Sequence, residues 1–210
     1  MKASVGKKIL LIFSIVIAIN LVLSTVNLVS MDQMREKASE VSDKRLPSII
    51  YVSEMRHLMD SLVTQELNYV NSTNASNRTE YALAMETILQ QYHEVTKRYE
   101  AHLSIKEEKE LFKQVTNEWN DYLALHEDIM AEGEANNLEK AESILRKASW
   151  NLSSININMN KLVELSEKRT EELSKESDTL FSTAKITNHF SCARINYFCN
   201  TRLLVISQSI

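Results

Sequence analysis

One short motif in this 210-residue chain has the spacing of a metal site. Glu54-Met-Arg-His57 is a Glu-x-x-His sequence, which places a carboxylate and an imidazole on one helix face, as in helical bundles that bind two iron ions. That chemistry needs a second such motif, and the sequence has none. Because the chain also lacks a His-Glu-x-x-His sequence, a glycine-rich loop and a cysteine nucleophile, we predict no enzymatic activity, no metal and no cofactor.

The composition predicts an all-α protein. Two glycines and one proline are too few for the turns of a β-sheet or an α/β fold. The net charge is −4, and basic residues alternate with acidic ones, so we predict no nucleic-acid partner. Cys192 and Cys199 both lie near the C-terminus, which excludes a disulfide framework.

Residues 9–29 form an apolar segment without a charge. At about 1.5 Å per residue, a helix of this length crosses the hydrocarbon core of a bilayer. Three lysines precede it, which predicts that residues 1–8 lie in the cytoplasm and that the following chain lies outside. A cleaved signal peptide, with 9–19 as its apolar core, is the alternative.

Three polar residues interrupt the apolar segment on one helix face. Asn20, Ser24 and Asn27 have i, i+4, i+7 spacing. Such side chains hydrogen-bond to neighbouring transmembrane helices, at about 1 kcal/mol each. We therefore expect them to contact another transmembrane helix, with polar residues tolerated at the lipid as the alternative.

Apolar residues at three- and four-residue spacing predict four further helices, at about 30–70, 78–102, 105–131 and 138–184. The expected core positions are Val52, Met55, Met59, Leu62; Tyr81, Met85, Ile88, Tyr92, Val95, Tyr99; Phe112, Val115, Trp119, Tyr122, His126, Ile129; Ala141, Leu145, Ala148, Leu152, Ile155, Met159 and Leu162.

The helix ends have recognisable capping residues. Ser104 with Glu107 has the spacing of a capping box, which predicts the start of the third helix. Gly133 is expected at the C-cap of that helix, and Asn137 at the N-cap of the fourth.

Helix lengths predict an antiparallel up-down four-helix bundle with long first and fourth helices. The middle two helices are each about 40 Å long, and the outer two are longer. Their excess begins near Pro47 in the first helix and near Leu165 in the fourth. We therefore expect a bundle on a two-helix stalk, together 30–184, followed by a second transmembrane segment from about Lys185.

The tail, 185–210, is too polar for that role as it stands. Codons for Asn, His, Tyr, Phe and Cys end in a pyrimidine, which becomes the middle base in a shifted frame. Since codons with T in the middle encode apolar residues, NHFSCARINYFCNTRL read out of frame can encode an apolar helix. We interpret 185–210 as a degenerate or frameshifted second transmembrane segment, with a polar tail that never inserts as the alternative.

The stretch DKRLPSIIYVSEMRHLMDSLVTQELNYV, after an N-terminal anchor and before three more helices, resembles the four-helix-bundle sensor domain of bacterial methyl-accepting chemotaxis receptors. RLPSI, at 45–49, is its most recognisable part. The resemblance implies a ligand-sensing domain on the outer side of the bacterial cytoplasmic membrane and a homodimer through the first helix. It also implies signalling by displacement of the fourth helix, and a cytoplasmic output domain that is absent from this chain.

Two other functions are consistent with the same predicted helices. One is a membrane-tethered structural or interaction bundle without a ligand. The other is the sensor region of a histidine kinase or a cyclase. A small molecule or a periplasmic binding protein is the expected stimulus of a chemotaxis-type sensor, and a ligand screen separates it from the structural bundle.

The candidate ligand-binding residues all lie on the first bundle helix. Aspartate receptors of the resembled family use arginines in the upper part of this helix, but 59–68 contain none, so ligand specificity cannot be transferred. Arg56 and His57 lie lower and suit an anionic ligand, with a solvated polar face as the alternative. Gln65 and Asn68 are the remaining candidates.

Two other sets of polar residues favour a place in the core. His126 occupies an apolar seam position, which favours an imidazole hydrogen-bonded within the bundle over a ligand contact. Tyr81, Tyr92 and Tyr99 are expected to pack in the core with their hydroxyls at its rim, in preference to an aromatic ligand site.

Overall fold

The computed structural model describes the backbone of residues 5–207 and the side chains of residues 6, 10–11, 13–187 and 189. No strand occurs among the described residues, and the predicted all-α fold is confirmed. The elements in chain order are α1 (Val5–Glu40), a π-helical turn (Val41–Arg45), α2 (Leu46–Asn71), α3 (Ala75–His102), α4 (Lys106–Glu134) and α5 (Leu138–Ser207).

The chain divides into two compact units, of which residues 41–170 are the first. This unit contains α2, α3, α4 and the beginning of α5. Three loops of three residues each, 72–74, 103–105 and 135–137, connect these helices. Because such short loops return the chain directly, successive helices run antiparallel, and the predicted four-helix bundle is confirmed.

The core of the bundle consists of one apolar stripe from each helix. All six predicted seam positions of α4 are buried, and Val52, Met55, Met59 and Leu62 are buried on α2. On the remaining two helices, Tyr81, Ile88 and Leu152 are only partly buried, while the other predicted positions lie in the core.

The second unit combines α1 with α5 beyond Thr170. Leu173 is buried in it, and the Lys37 ammonium is ion-paired with Glu176. The large apolar side chains of α1 described from Leu10 to Val29 are mostly exposed. Among the described residues, one helix, near the N-terminus, is long and apolar enough to cross a membrane.

The π-helical turn separates α1 from α2. The chain is helical through the predicted range of about 30–70, but it changes from α-helix to π-helix at this turn. We attribute the turn to Pro47, whose nitrogen has no hydrogen and whose ring collides with the carbonyl oxygen four residues earlier, at Asp43. A wider π-helical turn accommodates the proline.

Ser104 does not cap α4, contrary to the sequence prediction. The helix begins at Lys106, and its N-cap residue, Ile105, makes no side-chain hydrogen bond. The Ser104 hydroxyl accepts a hydrogen bond from Nη2 of Arg45 at 2.6 Å. A long-range contact thus uses the hydroxyl that the local motif required.

Gly133 lies inside α4, so its prediction as the C-cap is wrong. Asn136 adopts the left-handed conformation instead, with φ of 60°, and the N–H of Asn137 donates to the carbonyl of Glu132 at 2.8 Å. This is the hydrogen bond of a Schellman motif. Gly133 is needed for a different reason, since a Cβ there would lie 2.2 Å from Cε1 of Tyr69.

Candidate functional site

The Glu-x-x-His motif does not form a metal centre with other described residues. The Glu54 carboxylate lies 3.8 Å from the Arg98 guanidinium, and His57 is exposed. No group of three or more His, Cys, Asp or Glu within the described part of the chain is placed to hold a metal ion.

Arg56, one of the predicted ligand residues, bridges α2 and α5. Its Nη2 donates to Oδ1 of Asn160 at 2.6 Å. Its Nε has no hydrogen-bond partner within the described residues. Because that nitrogen is buried, it is not open to a ligand. His57 is exposed on the same turn, so the two residues present a partly exposed guanidinium and an accessible imidazole.

Gln65 and Asn68 lie further along α2. A rise of 1.5 Å per residue separates Gln65 from Arg56 by about 13 Å along the axis. Gln65 is half-buried and Asn68 is exposed. The structure therefore does not combine the four predicted residues into one site: Arg56 and His57 are neighbours, and the other two form a separate pair.

The polar residues predicted to contact a second transmembrane helix lie on α1. Asn20 is exposed, and its amide donates to the carbonyl of Val16 at 2.8 Å. Ser24 is exposed and Asn27 is half-buried. Most side chains of the predicted partner segment, 185–210, lie outside the described residues, so the contact stays a prediction.

A row of exposed residues, which we call the α2 stripe, follows the outer side of α2. Its spacing alternates between four and three residues, as in one seam of a coiled coil. Leu46, Ile50 and Leu67, near its two ends, are apolar, and the residues between Ile50 and Leu67 are polar. The α2 stripe consists of Leu46, Ile50, Ser53, His57, Asp60, Thr64, Leu67 and Asn71.

Three polar residues, which we call the Glu66 cluster, lie in the bundle core. The Glu66 carboxylate is fully buried, and its Oε1 lies 2.6 Å from Nδ1 of His126. The Tyr122 hydroxyl donates to the other carboxylate oxygen. Burial, followed by the nearby carboxylate, raises the pKa of Tyr122, so its phenol keeps the proton it donates.

The Glu66 cluster confirms that His126 is hydrogen-bonded within the bundle. Both oxygens of the buried carboxylate have a partner, which removes most of the penalty for burying it. The tyrosine hydroxyls do not all follow the prediction. That of Tyr99 is buried without a hydrogen-bond partner among the described residues, so its predicted place at the rim is wrong.

A second buried polar group, the Arg45 cluster, joins four segments of the bundle. Nη1 of Arg45 donates to Oε1 of Glu108 at 2.8 Å, and both side chains are 1% exposed. Oγ of Ser166 on α5 donates to the same oxygen at 3.1 Å. With Ser104 on the second guanidinium nitrogen, the cluster connects the π-helical turn, the α3–α4 loop, α4 and α5.

The sequence contained signals for both clusters. Glu66 falls seven residues after Met59 and therefore occupies a seam position, like His126 on α4. Ser166 interrupts the apolar seam of α5. Polar residues at seam positions of different helices indicate buried partners, but the sequence does not say which helices face each other.

Four antiparallel helices with two buried polar clusters in their core, in a chain with one long apolar N-terminal helix, define a helical-bundle module. The chain belongs to the family of four-helix-bundle sensory modules for signal transduction, whose model matches residues 2–181. Its function is sensory, as the resemblance to chemotaxis receptors implied.

The chain is also similar to YvaQ of Bacillus subtilis (strain 168), which is named as a sensory transducer protein. The two are 22% identical over 181 residues, which cover 86% of this chain. The chain spans about a third of the length of this relative, since the match covers 32% of it.

Proposed function

We propose that this chain is the membrane-anchored, extracytoplasmic ligand-sensing region of a chemotaxis-type receptor. The observation that carries the proposal is the apolar surface of α1, which is mostly exposed among the described residues, on a helix long and apolar enough to cross a membrane. Its role is to bind and to transmit, without catalysis. Two of the most deeply buried ionisable groups have partners on α4: Glu66 accepts from Tyr122, and Arg45 donates to Glu108.

The anchor in this proposal is the segment 9–29, with 1–8 in the cytoplasm and the bundle on the outer side of the bacterial cytoplasmic membrane. Exposing an apolar helix surface to water is unfavourable, and insertion into lipid removes that exposure. The tail, 185–210, then returns to the membrane, and Asn20, Ser24 and Asn27 face it. Sequencing the gene tests this part: codons that give no apolar run in a shifted frame would remove the frameshift interpretation.

The partner in this proposal is a second copy of the chain, held through the α2 stripe. Both copies are anchored by their N-termini, so their α2 helices run parallel and equivalent residues meet. The apolar ends, Leu46 and Ile50 on one side and Leu67 on the other, hold the two helices together. The polar middle weakens the seam, which leaves the dimer two arrangements of similar free energy.

Pairing through the α2 stripe is tested by single cysteines in full-length chains that carry Cys192→Ser and Cys199→Ser. Thr64→Cys lies on the stripe, and Lys97→Cys is an equally exposed control on α3. We expect mild oxidation in membranes to give covalent dimers of the first variant alone. Equal yields at both positions would argue against this seam.

The ligand in this proposal is a small organic anion that meets Arg56 and His57 beside the polar middle of the stripe. The Arg56 side chain is partly exposed, and a carboxylate matches the geometry of a guanidinium group. Gln65 and Asn68, about 13 Å and about 18 Å from Arg56 along the helix, suit the far end of a longer ligand or a protein surface.

Isothermal titration of the full chain in lipid nanodiscs against organic acids and amino acids tests the ligand. Arg56→Gln removes the charge at the site, and Arg146→Gln removes the same charge from a residue that pairs with Glu142 on its own helix. Loss of binding in the first variant alone supports the site. No binding by any member of the panel would favour the structural bundle.

A further inference from the structure

One carboxylate oxygen joins the beginning of α2 to α5. Oε1 of Glu108, on α4, accepts from Nη1 of Arg45 at 2.8 Å and from Oγ of Ser166 at 3.1 Å. Arg45 belongs to the π-helical turn that precedes α2, and Ser166 belongs to α5. These are the two chain segments through which the bundle continues into the second unit.

The two hydrogen bonds respond differently to movement of α5. The ion pair between Arg45 and Glu108 is short and almost fully buried, so separating its charges is strongly unfavourable. The hydroxyl bond of Ser166 is neutral on its donor side and already long for an O–H donor. Helix shifts in switching proteins are about 1–2 Å, which is enough to break the serine bond and leave the ion pair intact.

The other oxygen of Glu108 has no hydrogen-bond partner among the described residues, although it is buried. A buried acceptor without a donor is unfavourable, and most such atoms in folded proteins are satisfied. One oxygen therefore has two donors while the other has none. A donor that moved from Oε1 to this oxygen would satisfy it.

The packing beside this bond is open on one side. An open groove of about 460 Å³ lies between α4 and α5 there, and its lining includes Leu111 and Leu165. Glu107 and Leu165 of the lining are the sequence neighbours of Glu108 and Ser166. A tightly packed contact resists displacement, whereas an open groove allows it with little loss of packing.

We propose that Glu108 is a latch that sets the position of α5 against α2: Ser166 engages it in one signalling state and releases it in the other. Arg45 is the positioning residue that holds the carboxylate in place. The inference rests on the proposed function, because it names the contact through which the sensor's output is regulated.

The test uses the full chain in lipid nanodiscs with Cys192→Ser and Cys199→Ser. Lys37→Cys and Glu176→Cys replace two residues whose side chains are in direct contact in the second unit. The rate at which this pair forms a disulfide reports the position of α5 relative to α1. Because α5 runs unbroken from Leu138 to Ser207, a change at Ser166 can reach Glu176 along one helix.

Ser166→Ala removes the latch bond and leaves the ion pair in place. Thr170→Val is the matched control, because the Thr170 hydroxyl donates only to the carbonyl of Ser166 in its own helix, at 2.8 Å. We expect Ser166→Ala to change the disulfide rate about fivefold or more, the lower range of allosteric coupling, while Thr170→Val leaves it unchanged. Melting temperatures measured in parallel should be similar for both variants, since each loses one hydroxyl.

Equal disulfide rates in the two variants, or equal changes in both, would overturn the latch. Arg45→Lys provides a second check, because it keeps the charge but loses the fork that holds Glu108 and Ser104 together; it should shift the rate in the direction of Ser166→Ala. If no organic anion binds but Ser166→Ala still shifts the rate, the latch stands and the proposed ligand falls. If an organic anion binds but Ser166→Ala leaves the disulfide rate unchanged, the proposed ligand stands and the latch is refuted.

Discussion

Replacing His126 alone should destabilise the bundle more than replacing the whole Glu66 cluster. In His126→Leu, Oε1 of Glu66 loses its partner at 2.6 Å while the carboxylate stays fully buried. Removing one partner of a buried pair reduces the free energy of unfolding by about 3–5 kcal/mol. For a chain of this size that lowers the melting temperature by about 6–20 °C.

The comparison variant combines Glu66→Met, His126→Leu and Tyr122→Phe. It removes the buried carboxylate together with both groups that satisfy it, and it keeps apolar side chains of similar volume in the core. Such replacements are often neutral or stabilising. We therefore expect its free energy of unfolding to lie within about 2 kcal/mol of the unmodified chain, and clearly above that of His126→Leu.

Trp119 provides a local signal for the assay. Its ring is stacked on that of Tyr122, with centroids 5.1 Å apart, and Trp150, which is 80% exposed, can be replaced by Phe so that the emission comes from the core alone. Urea unfolding of the full chain in detergent micelles, followed by this emission, gives the three free energies. If the triple variant were no more stable than His126→Leu, the argument that an unpaired buried carboxylate dominates would be refuted.

Three further predictions concern single residues. Gly133→Ala should lower the free energy of unfolding by about 1–3 kcal/mol in the same urea assay, because the new methyl group meets the Tyr69 ring. Adding Tyr69→Leu to this variant should restore part of the loss. An unchanged free energy of unfolding in Gly133→Ala would contradict the close approach. Tyr99→Phe should be neutral or stabilising, since it removes a buried hydroxyl without a partner among the described residues. Tyr122→Phe should destabilise the bundle by about 1–3 kcal/mol, since it leaves one carboxylate oxygen of Glu66 without a donor. Equal losses of stability in the two variants would contradict this difference in hydrogen bonding. Burial raises the pKa of Tyr99 and Tyr122, so the folded state keeps protons that the unfolded state releases. Stability should therefore fall as the pH rises above about 10. Melting temperatures measured between about pH 9 and about pH 11, one unit either side of the tyrosine reference pKa, check this, and a melting temperature that does not change with pH would contradict it.

The core of the bundle could be predicted because amphipathic periodicity is a local property of the sequence. The six seam positions of α4 follow from residue spacing alone, and all six are buried. The small number of glycines and prolines predicted the all-α class in the same way. Neither inference requires knowledge of which helices are neighbours.

The polar clusters could not be predicted because their partners are distant in the sequence. Glu66 and His126 are each visible as polar residues in an apolar seam, but they are 60 residues apart and meet only once α2 packs against α4. Ser104 shows the same limit. Its spacing to Glu107 predicts a cap, yet Arg45 takes its hydroxyl, because a charged donor brought into the core requires acceptors.

The sequence by itself determined the helices, the stripe that each one buries and the apolar N-terminal segment, since each depends on residues within a few turns of one another. The tertiary structure alone decided where the buried charges find partners, why Gly133 must have no side chain and how Pro47 is accommodated by a π-helical turn. The physical reason is that hydrogen bonds and steric contacts act over a few ångströms in space. The residues they join, such as Arg45 and Glu108, become neighbours only when the bundle closes.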